Sequence, residues 1–390
     1  MMIPRIYLGT MTFGWTSQTS SHVDQRVATQ MLERFIEEAS KHKHPQQDQQ
    51  QQQQEKDYDH KILIDTARIY AGGKSERMLG ISLQEGSMSF LDASSSLSIN
   101  TKAHPSQPGG LSKDGIERQL QKSLDAMNVT SVDEYFLHQP DTEHSLLESL
   151  ECMHSLVLQK KIKSIGMSNY AASEMERAFE LCEKYGWTKP SVYQGLYNPL
   201  NRLVEEELLP LLRKHDCKFV AYNPLAAGLL TGKYSESMFE DENVPKGRFK
   251  GNKNYLPRFY TKRNFEAVNI IRKACRSSDV RMVDATYKWL LMHSALDANY
   301  GDGVLIGASS LSQLDANLKA CYSCDGDLNN VPLPENVIDA FDKAWYMMSR
   351  KDTIYESDEL FKYWRSYSAD MPNRNNLDHG ASYNANKVKT

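Results

Sequence analysis

The sequence predicts an α/β fold, a closed (β/α)8 barrel in one domain. Eight short apolar runs alternate with helix-length amphipathic segments, as strand-then-helix units in series should. The first run leads into "LGTMTFG", which is not the G-x-G-x-x-G turn that would open a doubly wound dinucleotide-binding sheet. The composition is globular: 390 residues, 40% apolar, with 46 basic against 50 acidic side chains for a net charge of −4. That balance lacks the basic footprint of a nucleic-acid binder.

The strand candidates, in order, are "RIYLG", "ILIDT", "INTKA", "DEYFLHQ", "KSIGMSN", "SVYQGL", "KFVAYNP" and "GVLIGAS". Several are rich in Val, Ile, Tyr and Phe, which suits buried strands. Helix patterns fall between them. "DGIERQLQKSLDAM" opens after Ser112, and "SLLESLECMHSLVLQKK" repeats apolar residues at 3–4 spacing. "SEMERAFELCEKYG" has Glu174 just after Ser173 at its start and Gly186 at its end, a helix stop.

Residues 1–350 form the expected barrel domain, with insertions at about 44–58 and 84–98. The first is glutamine-rich and the second serine-rich. Such polar tracts bury too little apolar surface to order themselves. Both join a helix to the next strand, which puts them at the barrel end away from catalysis. Residues 351–390 form a C-terminal extension whose polar end, after about Ala369, is expected to fray.

Several function classes fall away. No apolar run reaches about 18 residues, so no membrane span is expected. The start, "MMIPRIYLGT", lacks the charged and apolar regions of a secretory signal. A cytoplasmic location and reduced cysteines are expected. Cys321 and Cys324 make a lone C-x-x-C with no partner pair for zinc, so no metal is expected. A barrel hydrolase would need metal ligands, and no H-x-H follows the first strand.

In a barrel, function gathers at the C-terminal ends of the strands. Asp65 ends the second, with Tyr70 in the loop beyond it. Lys102 ends the third, His138 the fourth, and Ser168 with Asn169 the fifth. Gln194 lies on the sixth. A buried aspartate needs a cation, and Lys102 on the adjacent strand can supply it. A lysine held there stabilises a phenolate and draws the Tyr70 pKa down from its ordinary value, giving a proton donor usable near neutral pH. His138 is placed to hydrogen-bond a substrate oxygen. Such a set polarises and protonates a carbonyl, and the electron pair must come from a hydride cofactor.

"DTARIY", "NTKA", "YFLHQPD", "GMSNY", "VYQGLYN", "AYNPLAAGLLTGKY" and "GRFKGN" together resemble the aldo-keto reductases. The likeness is greatest to their aflatoxin-aldehyde reductase branch, which also reduces succinic semialdehyde. It runs from about Ile3 to Trp345, apart from the insertions. It implies NADPH as cofactor, an aldehyde as substrate, and a homodimer, with no nucleic-acid or membrane partner. It makes Tyr70 the general acid, tuned by Lys102 and Asp65, with His138 orienting the carbonyl. Ser168, Asn169 and Gln194 would bind the nicotinamide carboxamide, and Tyr222 would stack on its ring. Asn223, Pro224, Leu225, Ala226, Gly228, Leu229, Thr231, Gly232 and Lys233 would follow the pyrophosphate. Arg248, Ser309, Ser310, Gln313 and Asn317 would hold the adenosine end and its 2′-phosphate. The helix opening at "GASSLSQLDANL" supports this independently, because a helix N-terminus attracts phosphate.

Tyr255, Arg258 and Arg365 sit in segments that cover the pocket mouth in that branch, where they would bind the substrate's far end. Ala227 stands where the branch usually has glycine, and its methyl is tolerated unless the backbone there needs a positive φ. A second reading is a nucleotide-sensing regulatory subunit, like the channel-associated barrels of the same superfamily. The glutamine-rich insertion favours it.

Overall fold

The structure is a computed structural model. It describes residues 2–16, 19, 21–42, 61–85, 96–141, 143–235, 238, 244, 247–250, 259–323 and 332–349. Eight parallel strands close into a barrel in chain order. They are β1 (Arg5–Gly9), β2 (Lys61–Asp65), β3 (Ser96–Ala103), β4 (Val132–Leu137), β5 (Ile162–Ser168), β6 (Val192–Leu196), β7 (Lys218–Tyr222) and β8 (Gly303–Ile306). β8 closes the ring on β1, with Tyr7 opposite Leu305.

Helices α1 (Gln25–Lys41), α2 (Lys74–Glu85), α3 (Lys113–Met127), α4 (Leu146–Leu158), α5 (Ala172–Tyr185) and α6 (Leu208–Lys214) each follow the strand of the same number. Two helices, α7 (Lys262–Ser277) and α8 (Met282–Met292), separate β7 from β8. Beyond β8 come α9 (Leu311–Tyr322) and α10 (Glu335–Ser349), and α10 packs on α7.

Local chemistry sets the helix ends. Ser112 caps α3 by accepting the Gly115 N–H at 3.1 Å, and Ile116, Leu120, Leu124 and Met127 form its buried stripe. α5 begins earlier than its sequence suggests, with Ala171 rather than Ser173 at the cap. Alanine has no side-chain acceptor there. Instead the Glu174 carboxylate reaches back to the Ala171 N–H at 2.5 Å, which is half of a capping box. Gly186 ends the helix at φ +67, as expected. β3 is longer than the run "INTKA", and α2 reaches Glu85, so both edges of the serine-rich insertion belong to regular elements. Residues 86–95, and 43–60 of the glutamine-rich insertion, lie outside the described residues.

The inside of the barrel explains where the site must lie. Tyr7, Leu63, Phe136, Val192 and Val220 form one buried cluster with Leu305 packed against it. They come from β1, β2, β4, β6, β7 and β8 and plug the barrel as an interior layer. Side chains on one face of a strand repeat every second residue. Two residues further toward the C-terminal end stand Gly9, Asp65, His138, Gln194, Tyr222 and Gly307. All six line the same cavity.

Candidate active site

That cavity measures about 670 Å3 and opens at the C-terminal ends of the strands. At its base Asp65 is 1% exposed and Lys102 is fully buried. The Lys102 Nζ donates to both Asp65 carboxylate oxygens at 2.6 Å and to the Thr66 carbonyl at 2.7 Å. Gln194 Nε2 donates to Asp65 Oδ1 at 2.9 Å. Burial pulls the Lys102 ammonium below its ordinary value, and the charge of Asp65 opposes that pull. Burial without a partner would neutralise either group, so the pair and its hydrogen bonds keep both in place. Lys102 rests over the Phe136 ring at 5.4 Å, directly on the barrel plug.

The same ammonium lies 5.5 Å from the centre of the Tyr70 ring. Tyr70 opens a short 3-10 turn, Tyr70–Gly73, in which Ala71 and Gly72 take left-handed backbone at φ 48 and 64. The His138 ring meets the Tyr70 ring edge-on, with centroids 5.8 Å apart. Burial holds the His138 imidazole well below its usual pKa, helped by the nearby His104 and Lys102, so the ring is neutral. Lys102 itself stands behind Asp65 and does not line the cavity, while Asp65, Tyr70 and His138 do.

Ser168, Asn169 and Tyr222 form one hydrogen-bonded wall. Tyr222 donates its hydroxyl to Asn169 Oδ1 at 2.7 Å, and Asn169 Nδ2 donates to the His138 carbonyl at 2.9 Å and to Ser168 Oγ at 3.0 Å. Beyond β7 the chain turns tightly, with Asn223, Ala226, Ala227 and Gly228 all at positive φ. Asn223, Pro224, Leu225, Gly228, Thr231 and Lys233 line the cavity. Ala226 and Leu229 are buried instead, and Gly232 is a left-handed helix stop. The Ala227 methyl therefore does sit on backbone that needs a positive φ, at 57.

At the far end Arg248, Ser309, Gln313 and Asn317 line the cavity. Ser310 caps α9 by accepting the Gln313 N–H at 3.3 Å but does not face the cavity, and Ser309 N and Oγ both donate to Gln313 Oε1 at 3.0 Å. Burial and the charge of Arg248 lower the Lys233 ammonium, so two cations converge there. Among the described lining residues the one acid is Asp65, which Lys102 covers. A side chain at Gly307 would meet nothing within 4 Å, so bare backbone faces the cavity beside the α9 N-terminus. Bare backbone, converging cations and a helix N-terminus fit the phosphates of a dinucleotide.

Sequence reasoning missed Met11, Trp15, His104, Gln139 and Tyr287, which also line the cavity. His104 packs edge-on against His138 with centroids 5.1 Å apart, and burial pushes its pKa down to about 4. It follows β3 directly, so the strand-end rule could have found it. Tyr287 comes from α8 and carries no such signal. Tyr255, Arg258 and Arg365 lie outside the described residues. No group of three or more potential metal ligands occurs among the described residues, and no described helix is long and apolar enough to cross a membrane.

Comparison with known proteins agrees with this geometry. The model of the Aldo/keto reductase family matches residues 5–327. Aflatoxin B1 aldehyde reductase member 2 of Mus musculus is 40% identical over 302 residues, covering 75% of this chain and 78% of that protein. Aldo-keto reductase family 7 member A3 of Homo sapiens is 39% identical over 302 residues, 75% of this chain and 87% of its own. The fungal Oxidoreductase sirO of Leptosphaeria maculans is 32% identical over 294 residues, 75% of this chain and 84% of its own. The barrel, the buried lysine–aspartate pair beneath a tyrosine, and these likenesses converge: the chain is an oxidoreductase that belongs to the aldo/keto reductase family.

Proposed function

We propose that this protein reduces aldehydes to alcohols with NADPH, using Tyr70 as general acid. The observation that carries the reading is Lys102, bound to Asp65 at 2.6 Å and 5.5 Å from the Tyr70 ring at the base of the cavity. The bound nicotinamide supplies the hydride. The protein supplies the rest. His138, neutral, donates an N–H to the carbonyl oxygen and aligns it with the Tyr70 hydroxyl. Tyr70 delivers its proton to that oxygen as negative charge builds there. The Lys102 ammonium stabilises the phenolate left behind, and Asp65 holds the ammonium in place.

Ser168, Asn169 and Gln194 would hold the carboxamide, and Tyr222 would offer its ring face to the nicotinamide. The run from Asn223 to Lys233 would follow the pyrophosphate, and Ser309 to Asn317 at the α9 start would hold the adenosine end. Arg248 would grip the 2′-phosphate, which selects NADPH over NADH. Aldehydes are the proposed substrates because relatives at 38% and 40% identity bear the name aflatoxin B1 aldehyde reductase. Within that class we favour a short aldehyde with a carboxylate at its other end, such as succinic semialdehyde, bound by Arg258 or Arg365 and Tyr255. A homodimer belongs to the same reading, and light scattering checks it.

The test is a panel of aldehydes followed by NADPH absorbance, with carboxylate-bearing and uncharged members of equal length. Turnover is expected, with the carboxylate-bearing members preferred about 10- to 150-fold, the scale of one charge-assisted hydrogen bond. Equal turnover of both would remove the charged-substrate part. Tight NADPH binding with negligible turnover across the panel would instead mark a regulatory barrel.

A further inference from the structure

Tyr70 stands on an unusual piece of backbone. Three residues in a row after it, Ala71, Gly72 and Gly73, have positive φ. Such a turn stores strain and needs surroundings that hold it. The surroundings are an ion pair that spans it. Arg68, just before the turn, pairs through Nη1 with Glu76 Oε2, just after it. Glu76 is fully buried, and its other oxygen accepts from Thr101 Oγ1 at 2.7 Å. Thr101 is the residue next to Lys102 on β3. The Arg68 N–H donates to the Lys102 carbonyl at 3.3 Å. One carboxylate thus ties the loop of the phenol to the strand of the ammonium.

Gly73 completes the arrangement. A side chain there would overlap the Arg68 guanidinium, so glycine is required for the clamp to close over the turn. Ser75 Oγ adds a bond to the Phe13 carbonyl at 2.8 Å, which fixes the start of α2 to the loop after β1.

We propose that the Arg68–Glu76–Thr101 clamp positions Tyr70 against Lys102, setting the alignment on which proton transfer depends. Arg68 and Glu76 are positioning residues that touch neither substrate nor cofactor. The inference rests on the reading of Tyr70 as the general acid. A misplacement on the order of 1 Å costs about 100-fold in rate, so a loosened turn shows in kcat before it shows in binding.

The experiment compares Arg68→Ala, Arg68→Lys, Gly73→Ala, the double variant Arg68→Ala/Gly73→Ala, and Tyr70→Phe in the full chain. Turnover, aldehyde KM, NADPH Kd and melting temperature are read for each. Arg68→Ala is expected to lower kcat at least about 10-fold, with KM and NADPH Kd within about twofold of the parent. Arg68→Lys recovers part of the loss, because an ammonium still pairs with Glu76. The double variant falls below Arg68→Ala, because an alanine at φ +91 strains the turn even without the guanidinium. If Arg68→Ala fails to fold, Glu76→Gln replaces it, since it keeps the volume and the Thr101 bond while removing the charge. Parental kcat in Arg68→Ala beside a dead Tyr70→Phe would overturn the clamp alone. So would losses in kcat, KM and Kd that fall together with melting temperature. Parental kcat in Tyr70→Phe would overturn the functional reading itself.

Discussion

Five non-glycine residues in the loops that form the cavity hold left-handed backbone: Ala71, Asn169, Asn223, Ala226 and Ala227. Strain of this kind collects where a chain must present groups to a ligand. Ala227 bears directly on stability. A left-handed L-residue costs roughly 1–2 kcal/mol, while glycine loses about 0.4–1 kcal/mol more chain entropy on folding. Ala227→Gly should therefore stabilise the protein by about 0.5–1 kcal/mol in urea unfolding. A less stable variant would mean that the turn tolerates the methyl. His104 gives a second residue-level expectation. Burial lowers its pKa from 6.5 to about 4, so the folded chain refuses a proton that the unfolded chain accepts between those values. Stability is then full above about pH 6.5 and falls as pH drops toward 4, with His138 acting in the same direction. His104→Gln should flatten the decline of melting temperature from pH 7 to 4.5. An unchanged slope would show that His104 contributes nothing to it. His104 is not legible from the apolar run itself, which ends at Ala103, one residue before it.

At the scale of elements, the two ends of the cavity differ in how far sequence reveals them. The substrate end follows from strand periodicity, since an interior residue two positions earlier marks each inward-facing strand-end group. The cofactor end is built from loops and helices. There Arg248, the α9 N-terminus and α8 meet through the closure of the barrel, and periodicity says nothing about Tyr287 or Val283. The α9 start was legible in "GASSLSQLDANL", where Ser310 is the cap. The α5 start was displaced because Glu174 supplies from inside the helix what the Ala171 cap lacks. Arg248 provides the prediction at this scale. Arg248→Ala should weaken NADPH binding about 10- to 100-fold and NADH binding much less, because only NADPH offers a 2′-phosphate for paired charge-assisted bonds. Equilibrium binding of both cofactors by fluorescence checks it. Equal losses would place Arg248 away from the 2′-phosphate.

Across the whole molecule, one layer of apolar side chains organises fold and site together. Tyr7, Leu63, Phe136, Val192 and Val220 fill the barrel, and the chemistry stands on the next inward positions. The alternation of short apolar runs with amphipathic helices made that barrel legible. Arg258 and Arg365 enter through the family resemblance alone, since no strand or helix pattern positions them. In the sequence the glutamine run lies between α1 and β2, and β2 starts at the barrel end opposite the cavity. Deleting Gln46 to Gln54 should leave kcat and melting temperature unchanged, since loop-closure cost varies slowly with length. A large drop in turnover would tie the run to the active site. The central claim is that Tyr70 donates the proton in a carbonyl reduction, supported by Lys102 and Asp65. Single-turnover NADPH oxidation by Tyr70→Phe, beside its NADPH Kd, tests this most directly. The expected result is at least about a 100-fold loss in rate with cofactor affinity nearly intact. A variant that oxidises NADPH at the parental rate would contradict it.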